Sequence, residues 1–234
     1  MRNSIPGADA MPKAKERTSM AKPKVAIIDD HPIVREGLSE VLEKQGEFTV
    51  CGGASDSASA MDLIEREHPD LLIVDISLRG TSGIELIKQV RSRYENMRML
   101  VSSMHDERFY AERCLRAGAQ GYVSKEEGTA KIIEALRQII AGKVYLSEAM
   151  SEHFLSQMVQ TGADPNRSSI ETLSDRELEV FELIGRGLST RKIAEALNLS
   201  MKTIETYREN IKVKLGLPDS TALIRRAVQW WESR

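Results

Sequence analysis

Three short apolar runs in this chain each stop at oxygen-bearing side chains. Val25-Ala26-Ile27-Ile28 ends in Asp29-Asp30, Leu71-Leu72-Ile73-Val74 ends in Asp75, and Met99-Leu100-Val101 ends in Ser102-Ser103. Continuous apolar runs of this length read as strands buried on both faces. Weaker strands are expected at Phe48–Cys51 and Gly121–Val123. Between the runs, apolar residues recur at helical spacing. Ile33, Leu38, Val41 and Leu42 follow Pro32, Ala60, Met61 and Ile64 follow Asp56, and Ile84, Ile87 and Val90 form a third face. Ala111, Cys114 and Leu115 end at Gly118, and Ile132, Ile133, Leu136, Ile139 and Ile140 end at Gly142. Strands alternating with helices imply a parallel sheet covered on both sides.

In such a sheet, ligands collect outside the carboxyl ends of the strands. The predicted ends carry Asp29, Asp30, Asp75 and Ser103, and Lys125 follows the fifth strand. Three carboxylates at one edge repel one another unless a cation offsets them. Mg²⁺ suits an oxygen site that must also hold phosphate, and a lysine supplies a point charge for phosphate oxygens. One strand-end aspartate alone is usually a helix cap or turn former; the ordered set is what points to chemistry.

The segments Ile28-Asp29-Asp30-His31-Pro32, Asp75-Ile76-Ser77-Leu78 with Gly83, Ser103-Met104 and Gly121-Tyr122-Val123-Ser124-Lys125 resemble a response-regulator receiver domain over residues 24–142. The resemblance implies a flavodoxin-like doubly wound (βα)5 fold with Asp75 as phosphoacceptor. It implies Mg²⁺ held by Asp29, Asp30, Asp75 and the backbone carbonyl of Ser77. It implies Ser103 as the switch hydroxyl, Lys125 as partner of the phosphoryl oxygens, Tyr122 as the aromatic switch and a sensor histidine kinase as phosphoryl donor. Three positions depart from the family's usual pattern: Leu78-Arg79 replaces Met-Pro, Glu126 replaces Pro, and Ser103 replaces Thr. None removes a catalytic group. Ser102 competes with Ser103 for the switch role, but adjacent strand residues face opposite ways, and the motif favours Ser103. His31 is read as near the site but outside it. His105, two residues after Ser103, is a candidate for influencing the access of water to a phosphoryl group.

Past Thr172 the strand signal ends. Ser174 precedes Glu177 by three residues as a capping box, and Gly185-Arg186-Gly187 closes that helix. Ser189-Thr190 opens a short helix. Asn198-Leu199-Ser200 turns into Met201–Leu215, which carries Ile204, Tyr207, Ile211 and Leu215 on one face and stops at Gly216 and Pro218. This is a helix-turn-helix pattern. The strings Leu173-Ser174-Asp175-Arg176-Glu177, Gly187-Leu188-Ser189 and Thr203-Ile204-Glu205-Thr206-Tyr207 resemble the LuxR-type domain of the NarL/FixJ group over residues 170–232. The resemblance implies binding to double-stranded DNA, with Lys202, Glu205, Thr206, Arg208, Glu209 and Lys212 facing it. Arg191 and Lys192 on the preceding helix join Lys202, Arg208 and Lys212 as phosphate candidates. Thr206, Glu205 and Glu209 suit base edges. The last helix, Ser220–Trp231, is implied to pair two domains in a dimer, with Trp230 either there or in the core.

The expected organisation is a disordered leader over 1–22, a receiver over 23–146, a helical linker and flexible segment over 147–172, and a LuxR-type DNA-binding domain over 173–234. Met11 and Met20 are alternative starts. Net charge divides as +3, −4, −3 and +2 over residues 1–22, 23–146, 147–165 and 166–234. An acidic middle suits a cation site and a basic end suits nucleic acid. No apolar run nears ~20 residues, so no membrane span is expected. The basic leader lacks the apolar core of a secretory signal. Cytoplasm is the expected compartment, with Cys51 and Cys114 as ordinary thiols. An unmodified receiver is expected to mask the C-terminal domain, and phosphorylation to favour a homodimer. The competing readings are a Mg²⁺-dependent phosphohydrolase using Asp75 or Asp29, and a phosphate-independent DNA-binding or adaptor protein. The phosphohydrolase has no D-x-D acid/base pair and leaves the helix-turn-helix unexplained. The adaptor leaves the acidic set with Ser103 and Lys125 unexplained.

Overall fold

In the computed structural model the described residues are 22–159 and 169–233. The expected leader over 1–22 lies outside them except for Lys22, as does the expected flexible segment up to residue 168.

Strands β1 (Lys24–Ile28), β2 (Thr49–Ala54), β3 (Leu71–Val74), β4 (Arg98–Ser103) and β5 (Gly121–Ser124) form one sheet in the order β2-β1-β3-β4-β5. Every pairing is parallel, with Ile28 beside Val74 and Val74 beside Val101. All four β3 residues are buried, as the continuous apolar runs require of a sheet covered on both faces.

The strand period of two sorts the core. Val25, Ile27, Leu71, Ile73, Leu100 and Val123 face α1 (Pro32–Gln45) and α5 (Thr129–Ile140). Ala26, Ile28, Leu72, Val74, Val101 and Tyr122 face α2 (Ser57–Glu67), α3 (Gly83–Arg93) and α4 (Glu107–Ala117). Side chains that accept backbone N–H groups start three of these helices: Asp56 for α2, Ser82 for α3 and Asp106 for α4. Each satisfies a donor that the first helical turn leaves free.

The chain reverses direction across the sheet between β1 and β3, and the crevice at that switch point opens at the carboxyl ends of the strands. Gly83 shapes its floor. A Cβ there would lie 1.9 Å from the Asp75 carbonyl oxygen, so only glycine lets α3 start this close to the end of β3.

Helix α6 (Glu148–Val159) follows the sheet, and a 3-10 turn over Ser169–Thr172 leads into an all-helical unit. That unit comprises α7 (Asp175–Gly185), α8 (Thr190–Ala196), α9 (Met201–Leu215) and α10 (Ser220–Glu232). Ser174 and Glu177 form the expected reciprocal capping box, Ser189 and Ser200 cap α8 and α9, and Gly216 ends α9 in the left-handed conformation. Phe181, Ile184, Ile193, Ile204, Ile211, Leu223 and Trp230 fill the core. Helices α7 and α10 cross tightly at Gly185, where an added Cβ would lie 2.6 Å from the Ala227 carbonyl. Among the described residues, no helix is long and apolar enough to cross a membrane.

Candidate functional site

The crevice gathers the strand-end residues. Lys125 Nζ donates to Asp29 Oδ2 and to Asp75 Oδ2, each at 2.7 Å. Asp29, Asp75 and Ser103 are buried. Burial raises the Asp75 pKa above the ordinary carboxylate value, while Lys125 and the Ser103 hydroxyl oppose the rise. Burial by itself would lower the Lys125 pKa, but Asp75 and Asp29 outweigh it and hold the ammonium charged. Asp75 Oδ1 is buried without a hydrogen-bond partner. A buried acceptor left unpaired is costly, so an oxygen-rich pocket with such an atom fits a hard cation. Asp29, Asp30 and Asp75 would supply carboxylate ligands.

His31 lies beside the acidic pair: its Nδ1 is 2.7 Å from Asp30 Oδ1 and 3.3 Å from Asp29 Oδ1. One potential ligand atom from each of Asp29, Asp30, His31 and Asp75 falls within 4.8 Å of the others. The cause is local. The His31 backbone N–H donates to Asp29 Oδ1 at 2.8 Å, which folds the start of α1 over the acidic pair. The ring stays 66% exposed.

The two serines separate as strand alternation predicts. Ser102 turns toward the α1 and α5 side, beside Ile33, Val34 and Ile132. Ser103 shares the Asp75 side of the sheet. Tyr122 is buried and donates its hydroxyl to the His105 carbonyl at 2.6 Å. Two of the sequence departures acquire a local role. Glu126 donates its N–H to Ser124 Oγ within a capping box over the 3-10 turn Lys125–Glu127, a donor that proline lacks. Leu78 is buried, and the Arg79 backbone forms an isolated parallel β-bridge with that of Asp56.

His105 is buried beside the loop that follows β3. Its Nε2 lies 2.9 Å from Ser77 Oγ, and its Nδ1 lies 3.0 Å from Glu182 Oε2 on α7. Burial would lower its pKa, but Glu182, Glu179 and Asp75 raise it above the ordinary value. Tyr110 also donates to Glu182 Oε2, at 3.1 Å. Nearby, Arg113 binds the Leu173 carbonyl at 2.8 Å and Asp175 at 3.0 Å, and Lys88 binds Asp175 at 2.9 Å. Phe109 meets Trp230 with ring centroids 4.8 Å apart, and Phe181 meets it at 5.4 Å. Trp230 therefore belongs to a core shared between the helical unit and α4. No sequence motif flagged Tyr110, Arg113 or Glu182. Their partners lie 60 to 77 residues away, and no local periodicity reports such pairs.

On α9, Lys202, Glu205, Thr206 and Glu209 are exposed, while Arg208 and Lys212 are half-buried. Lys212 is more constrained than expected: its side chain is 16% exposed and pairs with Glu209 at 2.9 Å. On α8, Lys192 is exposed and Arg191 pairs with Glu195 at 2.9 Å. The expected masking is also redirected. The α4 side of the sheet domain packs on α7 and α10, and the outer face of α9 stays open.

An acidic crevice at the switch point of a parallel sheet, joined to a helix-turn-helix with one open helix, defines a receiver coupled to a DNA-binding output domain. Comparison with known proteins agrees. Residues 25–137 match the response regulator receiver domain, and residues 171–227 match the bacterial regulatory proteins of the luxR family. The transcriptional regulatory protein MctR of Rhizobium johnstonii is 33% identical over 211 residues, covering 90% of this chain and 95% of MctR. The Fimbriae Z protein of Salmonella typhimurium is 36% identical over 205 residues, covering 88% and 96%. A solved structure of the Salmonella typhimurium RcsB response regulator aligns at a TM-score of 0.64 and 27% identity, over 90% of this chain and 98% of that one. RcsB bound to promoter rprA in the presence of the phosphomimetic BeF3- aligns at 0.58 and 26%, over 87% and 97%. The chain belongs to the NarL/FixJ-type response regulators and is a receiver-containing, LuxR-type DNA-binding regulator of transcription.

Proposed function

We propose that Asp75 accepts a phosphoryl group from a sensor histidine kinase and that this controls dimerisation, DNA binding and transcription in the cytoplasm. The observation that carries the reading is Lys125, held between Asp29 and Asp75 at 2.7 Å from each, next to the unpartnered Asp75 Oδ1. One Asp75 oxygen attacks phosphorus in line as the bond to the donor's nitrogen breaks, and that nitrogen keeps the bonding pair. Lys125 and the Ser103 hydroxyl then face the phosphoryl oxygens. Mg²⁺ held by Asp29, Asp30, Asp75 and the Ser77 carbonyl would neutralise charge on the same oxygens. Water later hydrolyses the acyl phosphate and resets the protein; turnover of other substrates is not part of this reading. The added charge reorders loops around Tyr122 and Ser103. The helix-turn-helix, with Lys202, Arg208, Lys212, Arg191 and Lys192 toward phosphates and Glu205, Thr206 and Glu209 toward base edges, binds duplex DNA. We place the domain limits at 23–146 and 173–234, joined by 147–172.

The test is intact-mass analysis after incubation with acetyl phosphate and Mg²⁺. Wild type gains one phosphoryl group and sediments as a dimer, while Asp75→Ala gains none. An undiminished gain in Asp75→Ala, or equal labelling in excess chelator, overturns the assignment.

A further inference from the structure

A buried polar chain joins the phosphoacceptor loop to the DNA-binding domain, and the phosphoryl chemistry does not use it. It starts at Ser77, two residues after Asp75. Ser77 Oγ lies 2.9 Å from His105 Nε2. The same ring reaches Glu182 Oε2 through Nδ1 at 3.0 Å. Tyr110 closes the group. Its hydroxyl donates to the same Glu182 oxygen, and its ring lies 4.5 Å from the imidazole. His105 is also tied through its backbone. Its carbonyl accepts from Tyr122 at 2.6 Å, and its N–H donates to Ser103 Oγ at 3.4 Å. His105 therefore touches the loop after β3 through its ring, and the end of β4 and Tyr122 on β5 through its backbone. On its far side its partner is a carboxylate from the other domain. His105, Tyr110 and Glu182 are all buried.

Such a group has few intermediate states. With both partners in place, the carboxylate and the imidazole satisfy each other. Withdrawing one leaves the other buried with a lost partner, which is costly. The contact is therefore either made, with the domains packed, or opened to water. A loop that moves at Ser77 changes which state is favoured, and packing of Glu182 changes which loop arrangement is favoured. Binding free energies linked in this way act equally in both directions.

We propose that His105 is a positioning residue coupling the two domains: its contact with Glu182 holds Ser77 in the unphosphorylated arrangement, so packing of the DNA-binding domain and phosphorylation of Asp75 oppose each other. This rests on Asp75 being the phosphoacceptor. It adds the residues through which the state of Asp75 is read, and it puts the lock on α7 rather than on the DNA-facing helix. Glu182 lies on α7 and is joined to Ser77 through His105, so a change in phosphorylation rate that vanishes in a His105→Asn background reports the coupling rather than a loss of packing.

The experiment uses the full chain. Phosphorylation by acetyl phosphate with Mg²⁺ is followed by intact mass, and small-angle X-ray scattering reports the compactness of the unphosphorylated protein. Glu182→Ala should expand the chain and raise the phosphorylation rate roughly fivefold or more. In a His105→Asn background the same change should add little further. Tyr110→Phe removes one hydroxyl donor and should shift both readouts in the same direction by less, which keeps a gentler variant available if Glu182→Ala folds poorly. An expanded Glu182→Ala chain that labels at the wild-type rate overturns the coupling, as does a fully additive double variant. A wild type that takes no phosphoryl group on Asp75 overturns the functional reading itself. A wild type that labels normally, with variants indistinguishable from it, leaves that reading standing and removes only the coupling.

Discussion

Lys125 holds the crevice together by its charge. Its ammonium is the shared partner of two buried carboxylates. Breaking a buried pair by removing one member costs about 3 kcal/mol or more, because the remaining charge stays uncompensated. Lys125→Met should therefore lower the melting temperature. Added Mg²⁺ should restore more stability to that variant than to wild type, since a cation would replace the missing charge. Thermal unfolding of both proteins with and without Mg²⁺ checks this, and equal shifts would show that the carboxylates do not share a cation. His31, next in the chain after Asp30, is swung over the acidic pair by a turn with a backbone hydrogen bond to Asp29.

Helix α7 begins with a capping box whose carboxylate does more than cap. Glu177 is buried and also bonds Lys214 near the end of α9. Burial would raise its pKa, but Lys214 and the Ser174 N–H and hydroxyl outweigh it and hold it below 4.5. A carboxyl whose folded pKa is depressed contributes stability that is present above its unfolded pKa and lost as pH falls through the folded one. Stability should thus fall from about pH 4.5 downward, and Glu177→Gln should flatten that part of the slope. Melting temperatures measured at a series of pH values for both proteins decide it. The division of labour proposed for helix α9 has a local basis. Lys202 is exposed near its start, and Thr206 lies one turn on, with its hydroxyl turned back to the Lys202 carbonyl at 3.0 Å. That bond leaves the methyl free for a base edge. Lys202→Ala should weaken all duplexes alike and reduce the salt dependence. Thr206→Ser should relax preference at one base pair by about 1 kcal/mol. Site selection at two salt concentrations separates the two effects, and a changed preferred site in Lys202→Ala would reverse the assignment. Because Lys212 is largely covered and paired with Glu209, its substitution should affect DNA binding less than that of Lys202.

The two domains share a core at α4, α7 and α10, and their fates in unfolding are joined there. Arg113 anchors the seam through the Leu173 carbonyl and Asp175, with the Glu171 carbonyl at 3.3 Å. Arg113→Ala should cost about 2 kcal/mol at the seam, as expected for losing charge-assisted bonds in a partly buried site. Differential scanning calorimetry should then resolve two transitions where wild type shows one merged event. A single unshifted transition would mean that the seam contributes little. An α9 left open while α7 is covered also changes what release of the domains accomplishes. On the proposed reading, release would free the helical unit to reorient rather than uncover the α9 residues proposed to face DNA.

Strand-end carboxylates, the lysine after the fifth strand, the helix-turn-helix and its caps were all legible in the sequence. They rest on short-range regularities: a strand ends where its apolar run ends, a sheet of parallel strands puts those ends on one edge, and a serine three residues before a glutamate starts a helix. Sheet alternation put Ser102 and Ser103 on opposite faces, and the motif chose Ser103. The placement of His105 between Ser77 and Glu182, the seating of Trp230 against Phe109, and the burial of Lys212 followed no such rule. Each depends on which face of one domain meets which face of the other. That choice is made by the summed fit of surfaces distant in the chain, so no window of sequence contains it, and only the folded molecule decides it.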